Sequence, residues 1–260
     1  MNLFDSHSHY NDEKFDIDRD EIIKETLSSG VSNFIVAGYN IESSKKALEI
    51  ANKHEGLYAI VGISPNDLEN IKTEDDINES LAVIEKIGEN KKVVAIGEIG
   101  LDYYWNKDNK DLQKEMFIKQ IKLANKLKLP IVIHTRDAMM DTIKILKEYN
   151  VNKKGIFHCC PLNRELVKEA TKLDFNISLS GVITFKNAKN ADDIINMISE
   201  DKLLIETDSP YLSPEPFRGK RNNSMYVKYV AEKIAKVKGK TLEEIADITS
   251  ENAKRIFNIK

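Results

Sequence analysis

Two histidines near the start of the chain have the spacing of a metal-binding pair. His7 and His9 are separated by one residue in the stretch FDSHSHYN. In an extended strand, residues i and i+2 project from the same face, so both imidazoles can reach one metal ion. Such a pair on its own is more often incidental, and the metal interpretation requires further ligands from elsewhere in the chain.

Further candidate ligands occur within or at the end of apolar runs. His134 and His158 each end such a run, Glu98 interrupts VVAIGEIG, and Glu206 and Asp208 close LLIETD. A histidine that ends a buried strand is often a hydrogen-bonded core residue. An unpaired carboxylate in a buried run is harder to explain, because its desolvation costs several kcal/mol. A cation bound beside Glu98 would offset that cost.

These ligand types predict a centre with two metal ions. Imidazoles and carboxylates without paired thiolates favour Zn²⁺, Mn²⁺ or Fe, and Mg²⁺ suits a shell rich in carboxylate and water. A catalytic zinc ion usually takes three protein ligands and leaves one position open. Four histidines and two carboxylates exceed that number, so we predict two divalent ions per subunit, Zn²⁺, Mn²⁺ or Mg²⁺. The candidate ligands are His7, His9, Glu98, His134 and His158, with Glu206 or Asp208 as the sixth, since one of these two carboxylates would instead pair with a lysine or arginine.

The elements that must position these residues alternate between strands and helices. Continuous Val, Ile and Leu runs bounded by Gly and Pro predict strands buried on both faces, which is typical of parallel sheets. The predicted strands are residues 2–4, 33–38, 57–63, 93–100, 130–134, 155–160, 175–181 and 203–208. Helical patterns separate them at 19–29, 42–54, 74–88, 111–127, 137–149, 164–173 and 192–199, and two more follow at 224–238 and 242–257.

Eight alternating units predict an α/β fold, a closed (β/α)8 barrel of the TIM type in which residues 1–260 form a single domain. No linker, repeat or low-complexity tract divides the sequence. Active sites of such barrels lie at the carboxyl ends of the strands and in the loops that follow. The six predicted ligands fall at or near those ends, which strengthens the metal interpretation.

The composition excludes several classes of protein. With 39 Lys and Arg against 42 Asp and Glu, the net charge of −3 gives no global attraction for nucleic acid or anionic membranes, so a polyanion must meet a local basic patch. The adjacent residues Cys159 and Cys160 build no disulfide framework, which favours a cytoplasmic location. The sequence has neither a signal peptide nor an apolar run near the roughly 18 residues of a membrane span. Nucleophile-elbow, P-loop and dinucleotide-binding glycine motifs are absent from it.

Two loops after predicted strands carry candidate substrate contacts. Arg136 follows the fifth strand in HTRDA, and Arg218 follows the eighth in FRGKRNN. Guanidinium groups bind phosphate well, so we predict that both arginines contact substrate, the alternative being a solvated surface role. Tyr103, Tyr104 and Trp105 follow the fourth strand and would stack on an unpaired base. Packing against a neighbouring helix is the alternative for these aromatic residues.

Five motifs spread along the whole chain are similar to those of one enzyme family. They are DSHSH (5–9), GEIGLDYYW (97–105), PIVIHTRDA (130–138), FHC (157–159) and IETDSPYLSPEPFRGKRN (205–222). With them the sequence resembles the TatD family of metal-dependent deoxyribonucleases, which are amidohydrolase-like TIM barrels. The last motif is the most specific of the five.

The resemblance implies roles for the six ligands and also shows two departures. It implies that one metal is held by His7, His9 and Asp208, that Glu98 bridges the two ions, and that the second is held by His134 and His158. With these roles, Asp208 and Glu98 are also the predicted catalytic residues. The chain has GISP, with Ser64, where the family usually has GIHP, so a histidine associated with substrate binding is replaced. It has HCCPL (158–162) where the family usually has HCFSG or HSFSG, so the pocket wall differs.

The leading hypothesis is a metal-dependent hydrolase that cleaves phosphodiester bonds in DNA, with single-stranded DNA or frayed ends as substrate. The ions would polarise the phosphoryl oxygen and activate a water molecule, and Asp208 would accept its proton. One alternative keeps the metals but cleaves an ester, lactone or amide, for example with a D-aminoacyl-tRNA deacylase-like activity. Another is a non-catalytic nucleic-acid-binding module with a structural metal, which the near-neutral charge disfavours. We predict no membrane association and no required protein partner.

Overall fold

Eight parallel strands form one sheet in the computed structural model, which describes residues 2–260, and each strand pairs with the next in sequence order. The strands are Leu3–Ser8 (β1), Val31–Ala37 (β2), Leu57–Val61 (β3), Val93–Asp102 (β4), Ile131–Arg136 (β5), Gly155–Phe157 (β6), Asn176–Leu179 (β7) and Leu203–Ile205 (β8). The α-helices are Arg19–Ser28 (α1), Ile41–Lys53 (α2), Glu74–Gly88 (α3), Lys110–Leu127 (α4), Met139–Glu148 (α5), Arg164–Lys172 (α6), Ala191–Met197 (α7), Val227–Lys238 (α8) and Leu242–Phe257 (α9). Within these described residues, no helix combines the length and the apolar composition of a membrane span.

Contacts between β1 and the segment after β8 close the sheet. The backbone N–H of Asp208 donates to the carbonyl oxygen of His7 at 2.9 Å, and the N–H of His9 donates to that of Ser209 at 2.7 Å. The Ser6 hydroxyl donates to the carbonyl oxygen of Ile205 at 3.0 Å. We call this junction between residues 6–9 and 205–209 the seam. It makes the sheet a nearly closed barrel, so the predicted (β/α)8 fold is confirmed.

Side chains alternate between the barrel interior and the helix layer. In β2, Ile35 and Ala37 belong to the interior cluster, whereas Phe34 and Val36 pack in the larger cluster that includes the helices. Phe257 of α9 joins the interior cluster and lines a cavity with the first residues of β4. The apolar interior therefore extends to the amino ends of the strands. The buried histidines and carboxylates of the predicted site collect at the carboxyl end, which we call the mouth.

Five predicted strands, β2, β3, β6, β7 and β8, end earlier than expected, and the difference is largest, at three residues, in β6 and β8. β6 stops at Phe157 rather than at residue 160, and β8 stops at Ile205 rather than at residue 208. The backbone is left-handed at Cys159 (φ 38°) and at Asp208 (φ 55°), a conformation through which a strand cannot continue. His158 and Asp208 therefore lie in the loops that leave the strands, at the rim of the mouth.

Candidate metal centre

Three of the predicted ligands form one group at the seam. His7 lies within β1, His9 follows that strand directly, and Asp208 lies opposite them in the segment after β8. The Nε2 atoms of His7 and His9 are 3.2 Å apart. Asp208 Oδ1 lies 3.2 Å from His9 Nε2 and 3.8 Å from His7 Nε2. The three ligand atoms therefore converge on one point.

The other two histidines form a second group around Glu98. Glu98 Oε1 lies 2.9 Å from His134 Nδ1 and 3.2 Å from His158 Nε2, and these two nitrogens are 3.3 Å apart. The other carboxylate oxygen, Oε2, lies 3.6 Å from His7 Nε2 and 3.9 Å from His9 Nε2. Glu98 therefore joins the two groups with one oxygen directed at each.

A bulge in β4 turns Glu98 toward these groups. Between the pairs Ile96–Ile131 and Ile99–Ile133, β4 advances three residues while β5 advances two. An extra residue of this kind bends a strand and changes the face that the following side chain occupies. Glu98 thus reaches the mouth from within a buried strand, with only 7% of its surface exposed.

The separations match what metal ligands require. Two ligand atoms that lie about 2.0–2.2 Å from one ion, at tetrahedral or octahedral angles, are roughly 2.8–3.6 Å apart. Five of the six separations within the two groups lie in that range, at 2.9–3.3 Å, and the sixth, between His7 Nε2 and Asp208 Oδ1, is slightly longer at 3.8 Å. The donors are imidazole nitrogens and carboxylate oxygens, which zinc and manganese accept readily. Both groups therefore have the chemistry and the spacing of a divalent-metal site.

Hydrogen bonds outside the two groups orient two of the imidazoles. His9 Nδ1 donates to the carbonyl oxygen of Ala37 at 3.0 Å, so the free lone pair of the ring is on Nε2. His134 Nε2 donates to Asp102 Oδ2 at 2.9 Å, so in the neutral, metal-binding form of this ring the free lone pair is on Nδ1. In both rings the free lone pair is on the nitrogen that faces the other ligands. Outer partners of this kind fix the tautomer and orientation of metal-binding histidines.

The charges of the centre favour a bound cation. Burial opposes charge on Glu98, but the nearby His158 and hydrogen bonds from His134 and His158 hold the pKa of this carboxyl well below its usual range. Burial likewise disfavours the imidazolium form of His158, yet Glu98 and the buried Glu206 raise the pKa of this imidazole well above its usual value. The carboxylates thus attract a proton to the imidazoles, and a divalent cation would take the place of that proton.

All six candidate ligands except the fully buried His7 line an open cavity of about 710 Å³ at the mouth. Arg136 is the one arginine or lysine among the described residues that line it. The guanidinium carbon of Arg136 lies 3.8 Å from the ring centroid of Tyr104 and 5.4 Å from that of Trp105. These rings are 47% and 65% exposed, respectively. Arg136 and Trp105 therefore lie beside the ligand groups, where substrate contact was predicted.

Tyr103 and Arg218 lie elsewhere. Tyr103 is partly buried, and its hydroxyl donates to Asp141 of α5 at 2.7 Å, which is the packing alternative. Arg218 is absent from the described residues that line the cavity. Its guanidinium carbon lies 3.7 Å from the ring centroid of Phe185, and one N–H donates to the carbonyl oxygen of Ser213 at 3.1 Å. Stacking on Phe185 thus holds Arg218 outside the cavity, and its contact with substrate stays a prediction.

Asp102, at the end of β4, positions a ligand without a distinctive sequence signal of its own. It accepts hydrogen bonds from His134 and from the backbone N–H groups of Tyr104 and Trp105, at 2.9, 2.9 and 3.0 Å. Burial raises the pKa of Asp102, but these hydrogen bonds outweigh it and bring the pKa to about 2. The carboxylate therefore links a predicted metal ligand to the aromatic loop beside the cavity. The one indication of this role in the sequence is that Asp102 is a carboxylate that follows a buried apolar run.

Asp5 has a similar role at the seam. It is fully buried and accepts hydrogen bonds from the His7 N–H at 3.3 Å and the Thr207 N–H at 2.9 Å, and from the hydroxyls of Thr207 and Ser224. Burial raises its pKa to about 7, against these hydrogen bonds, which favour the ionised form. Asp5 thus connects β1 to the segment after β8 through hydrogen bonds and positions His7 next to Asp208.

Asp102→Asn is expected to weaken metal binding at the second group by about 10- to 100-fold. Asp102 Oδ1 accepts the N–H groups of Tyr104 and Trp105, so an asparagine would place its oxygen there and its NH2 group toward His134. That NH2 group would donate to His134 Nε2 and move the ring proton to Nδ1, the atom that faces Glu98. Calorimetric titration of metal-free protein with Zn²⁺ or Mn²⁺ measures the effect.

Asp141→Asn is the matched control, because Asp141 accepts from the Tyr103 hydroxyl and pairs with Lys114 without lining the cavity. We expect its metal affinity to equal that of the unmodified protein. Equal affinity in the Asp102→Asn variant would show that Asp102 does not set the tautomer of His134.

Comparison with known proteins gives the same family along the whole chain. A family model described as TatD related DNase matches residues 4–258. The Bacillus subtilis protein named uncharacterized metal-dependent hydrolase YabD is 46% identical over 99% of each chain. The Escherichia coli K12 protein named uncharacterized metal-dependent hydrolase YcfH is 34% identical over 100% of this chain and 97% of its own. The crystal structure of YJJV, a TatD homolog from Escherichia coli K12, has a TM-score of 0.92 at 26% identity, covering 99% of this chain and 98% of that one. The chain therefore belongs to the TatD family of metal-dependent hydrolases.

Proposed function

We propose that this protein is a deoxyribonuclease that hydrolyses phosphodiester bonds in single-stranded DNA or at frayed ends. The observation that carries the proposal is the pair of ligand groups joined by Glu98, in a cavity that also holds Arg136 beside the exposed rings of Tyr104 and Trp105. A phosphate next to an unpaired base is the ligand that suits a guanidinium next to aromatic faces. The description of the matching family model points to the same class of substrate.

The proposal assigns two divalent ions to the centre. One would be held by His7, His9 and Asp208 and the other by His134 and His158, with Glu98 between them. Zinc or manganese suits a nitrogen-rich ligand set better than magnesium does. Such ions supply Lewis acidity, which polarises a phosphoryl oxygen and makes a water molecule acidic enough to react near neutral pH.

Asp208 would accept the proton of the attacking water. Its carboxylate lines the cavity, and although burial opposes its charge, His9 lowers its pKa, so it is ionised at neutral pH. Arg136 would pair with a non-bridging phosphate oxygen and orient the scissile bond. Trp105, at the same edge of the cavity, would stack on the neighbouring base and favour an unpaired strand.

One observation favours a second candidate, hydrolysis of a carboxyl ester or amide, for example a D-aminoacyl-tRNA deacylase-like activity. Ser64 lines the cavity, and its hydroxyl accepts a hydrogen bond from the Asn66 N–H at 3.2 Å. The family pattern has a histidine at this position. Asp67, whose pKa burial raises to about 6, lines the same side of the cavity. A neutral carbonyl substrate would tolerate this cation-poor side better than a phosphate would.

A substrate panel with metal-loaded protein tests the proposal. The panel contains end-labelled single-stranded DNA, the same sequence as a blunt duplex, single-stranded RNA, a D-aminoacyl ester and an amide, each with Mg²⁺, Mn²⁺ or Zn²⁺. We expect cleavage of single-stranded DNA that stops when a chelator removes the metal and returns when metal is restored. Turnover of the ester without any phosphodiester cleavage would replace the proposal with the second candidate. Binding of DNA without turnover of any substrate would indicate a non-catalytic module.

A further inference from the structure

Three smaller cavities lie around the mouth and differ in charge. One shares Thr135 and Pro161 with the metal cavity and is lined by Asp137 and Asp141 without a lysine or arginine among the described residues. Another shares Tyr39 with it and balances two lysines against two glutamates. The third, of about 480 Å³, has four lysines and three acidic residues. These residues are Lys186, Lys189, Lys233, Lys236, Asp192, Glu215 and Glu232. We call this third cavity the lysine groove.

The lysine groove shares a wall with the metal cavity. Val182 and Leu212 line the metal cavity, and Thr184 and Glu215 of the same two loops line the groove. The loops are packed without a gap, because the Glu215 N–H donates to Thr184 Oγ1 at 2.9 Å and a Cβ at Gly181 would lie 2.2 Å from the Leu212 carbonyl oxygen. A strand that leaves the metal cavity across this wall therefore enters the groove directly.

Three of the four lysines are free to bind an anion. Lys233 pairs with Asp192. Within the part of the chain that the structure describes, no carboxylate pairs with Lys186, Lys189 or Lys236. Unpaired ammonium groups that lie together repel one another, and a bound polyanion relieves that repulsion.

Helix stability does not account for Lys186 and Lys189. Both are exposed residues of the loop before α7, where no helix carboxyl end requires a positive charge. Lys128 at the opposite end of the barrel differs, because it caps the carboxyl end of α4 and complements the helix dipole there. Lys186 and Lys189 therefore need another reason, and a ligand with several negative charges supplies one; Lys236, in the last turn of α8, also complements the dipole of that helix.

Aromatic rings lie among the cations of the groove. Phe185 and Tyr229 line it, and the guanidinium of Arg218 lies over Phe185 with its carbon 3.7 Å from the ring centroid. Phe217 packs against Tyr229 with ring centroids 5.1 Å apart. Cations interleaved with aromatic side chains are typical of surfaces that follow a single-stranded nucleic acid.

We propose that the lysine groove binds the backbone of a single nucleic-acid strand whose scissile phosphate lies in the metal cavity. This inference rests on the proposed function and adds the path of the strand. The strand crosses the wall formed by residues 181–184 and 212–215 and places successive phosphates on Lys186, Lys189 and Lys236. Its path avoids the cavity lined by Asp137 and Asp141, which repels phosphate. The two ends of the cleaved strand are therefore held unequally, since only one of them has a basic surface.

The test measures how the groove affects strands of different length. In the variant Lys186→Gln/Lys189→Gln/Lys236→Gln we expect KM for a single strand of about 20 nucleotides to rise about tenfold at low salt, with kcat unchanged. Kinetics with a trinucleotide should not change, because it does not reach the groove. The slope of log affinity against log salt concentration should become shallower by about 2, since three phosphate contacts each contribute about 0.7.

The variant Lys91→Gln/Lys128→Gln/Lys153→Gln is the matched control, with the same change in charge among residues of a cavity at the amino ends of the strands. It should behave like the unmodified protein. An unchanged KM for the long strand in the groove variant, or an equal rise in both variants, would overturn the inference.

A separate measurement distinguishes failure of the proposed function from failure of this inference. If the protein cleaves neither oligonucleotide, the proposed function fails, and fluorescence anisotropy with a labelled single strand then tests the groove by itself. Binding weakened about tenfold in the groove variant alone supports the groove as a nucleic-acid site. Equal binding by the unmodified protein, the groove variant and the control variant would exclude the groove as a nucleic-acid site.

Discussion

Asp208→Asn is expected to lower kcat for single-stranded DNA by about 10²- to 10⁴-fold, the usual contribution of a general base, while the barrel stays folded. Asparagine tolerates the left-handed backbone of this position, where φ is 55°, and keeps the N–H that donates to the His7 carbonyl oxygen at the seam. It also keeps an oxygen that faces the first ligand group. What it lacks is a carboxylate that accepts a proton. Initial rates with metal-saturated protein, together with thermal unfolding, measure both quantities.

Asp67→Asn is the control for this experiment, because Asp67 lines the same cavity without belonging to either ligand group. We expect it to retain most of the rate. Asp208→Ala is a poorer choice, since alanine is strained in a left-handed conformation and could loosen the seam. Full activity in Asp208→Asn would exclude this carboxylate as the base.

If the protein binds the two ions per chain that we propose, Glu98→Gln is expected to reduce the bound metal to one ion or none. A glutamine has a single side-chain oxygen, so its NH2 group would face one of the two ligand groups and repel a cation there. The loss also affects stability, because an ion that binds only the folded chain stabilises it. At a metal concentration of about 1,000 times Kd this amounts to about 4 kcal/mol, or roughly 8–16 °C in Tm for a chain of this size.

Elemental analysis of gel-filtered protein measures the metal content, and unfolding scans with and without chelator measure the stabilisation. The unmodified protein should lose most of that Tm increment on chelation, whereas Glu98→Gln should lose much less. Glu215→Gln, at the wall of the lysine groove, is the matched control and should behave like the unmodified protein. Two ions per chain and an undiminished chelator effect in Glu98→Gln would show that this carboxylate does not join two sites.

The fold could be predicted because each strand–helix unit is encoded locally. Runs such as VVAIGEIG are apolar on both faces, and turn and capping residues separate them from the helices. The capping box of Thr241 and Glu244 at the start of α9, visible as Thr-Leu-Glu-Glu in the sequence, is present with both reciprocal hydrogen bonds. The gathering of the six candidate ligands at the mouth could also be predicted, because imidazoles and carboxylates at buried strand ends are costly without a cation; their role as metal ligands stays a prediction.

The remaining features depend on contacts between segments that are distant in sequence. Nothing around Arg218 indicates that Phe185, in the loop after β7, would hold its guanidinium. The early ends of β6 and β8 depend on left-handed residues such as Cys159, a conformation that residue type alone does not determine. Asp102 acts through His134, and the sequence separates the two by 32 positions. In each of these three examples, contacts formed only in the folded chain determine the position or conformation of the residue.

The seam has a consequence for how the protein matures. His7 and Asp208 are 201 positions apart (208 minus 7), so the first ligand group cannot assemble on a nascent chain until nearly all of the barrel has been synthesised. The second group is drawn from residues 98–158 and can gather earlier, but one oxygen of its bridging carboxylate is directed at the first group, which is completed only when Asp208 has been synthesised. Closure over such a long separation is slow and entropically costly, and an ion that binds His7, His9 and Asp208 would favour the closed ring over the open one. Incomplete chains would therefore lack hydrolytic activity, and the cell would be spared an active hydrolase before its fold is finished.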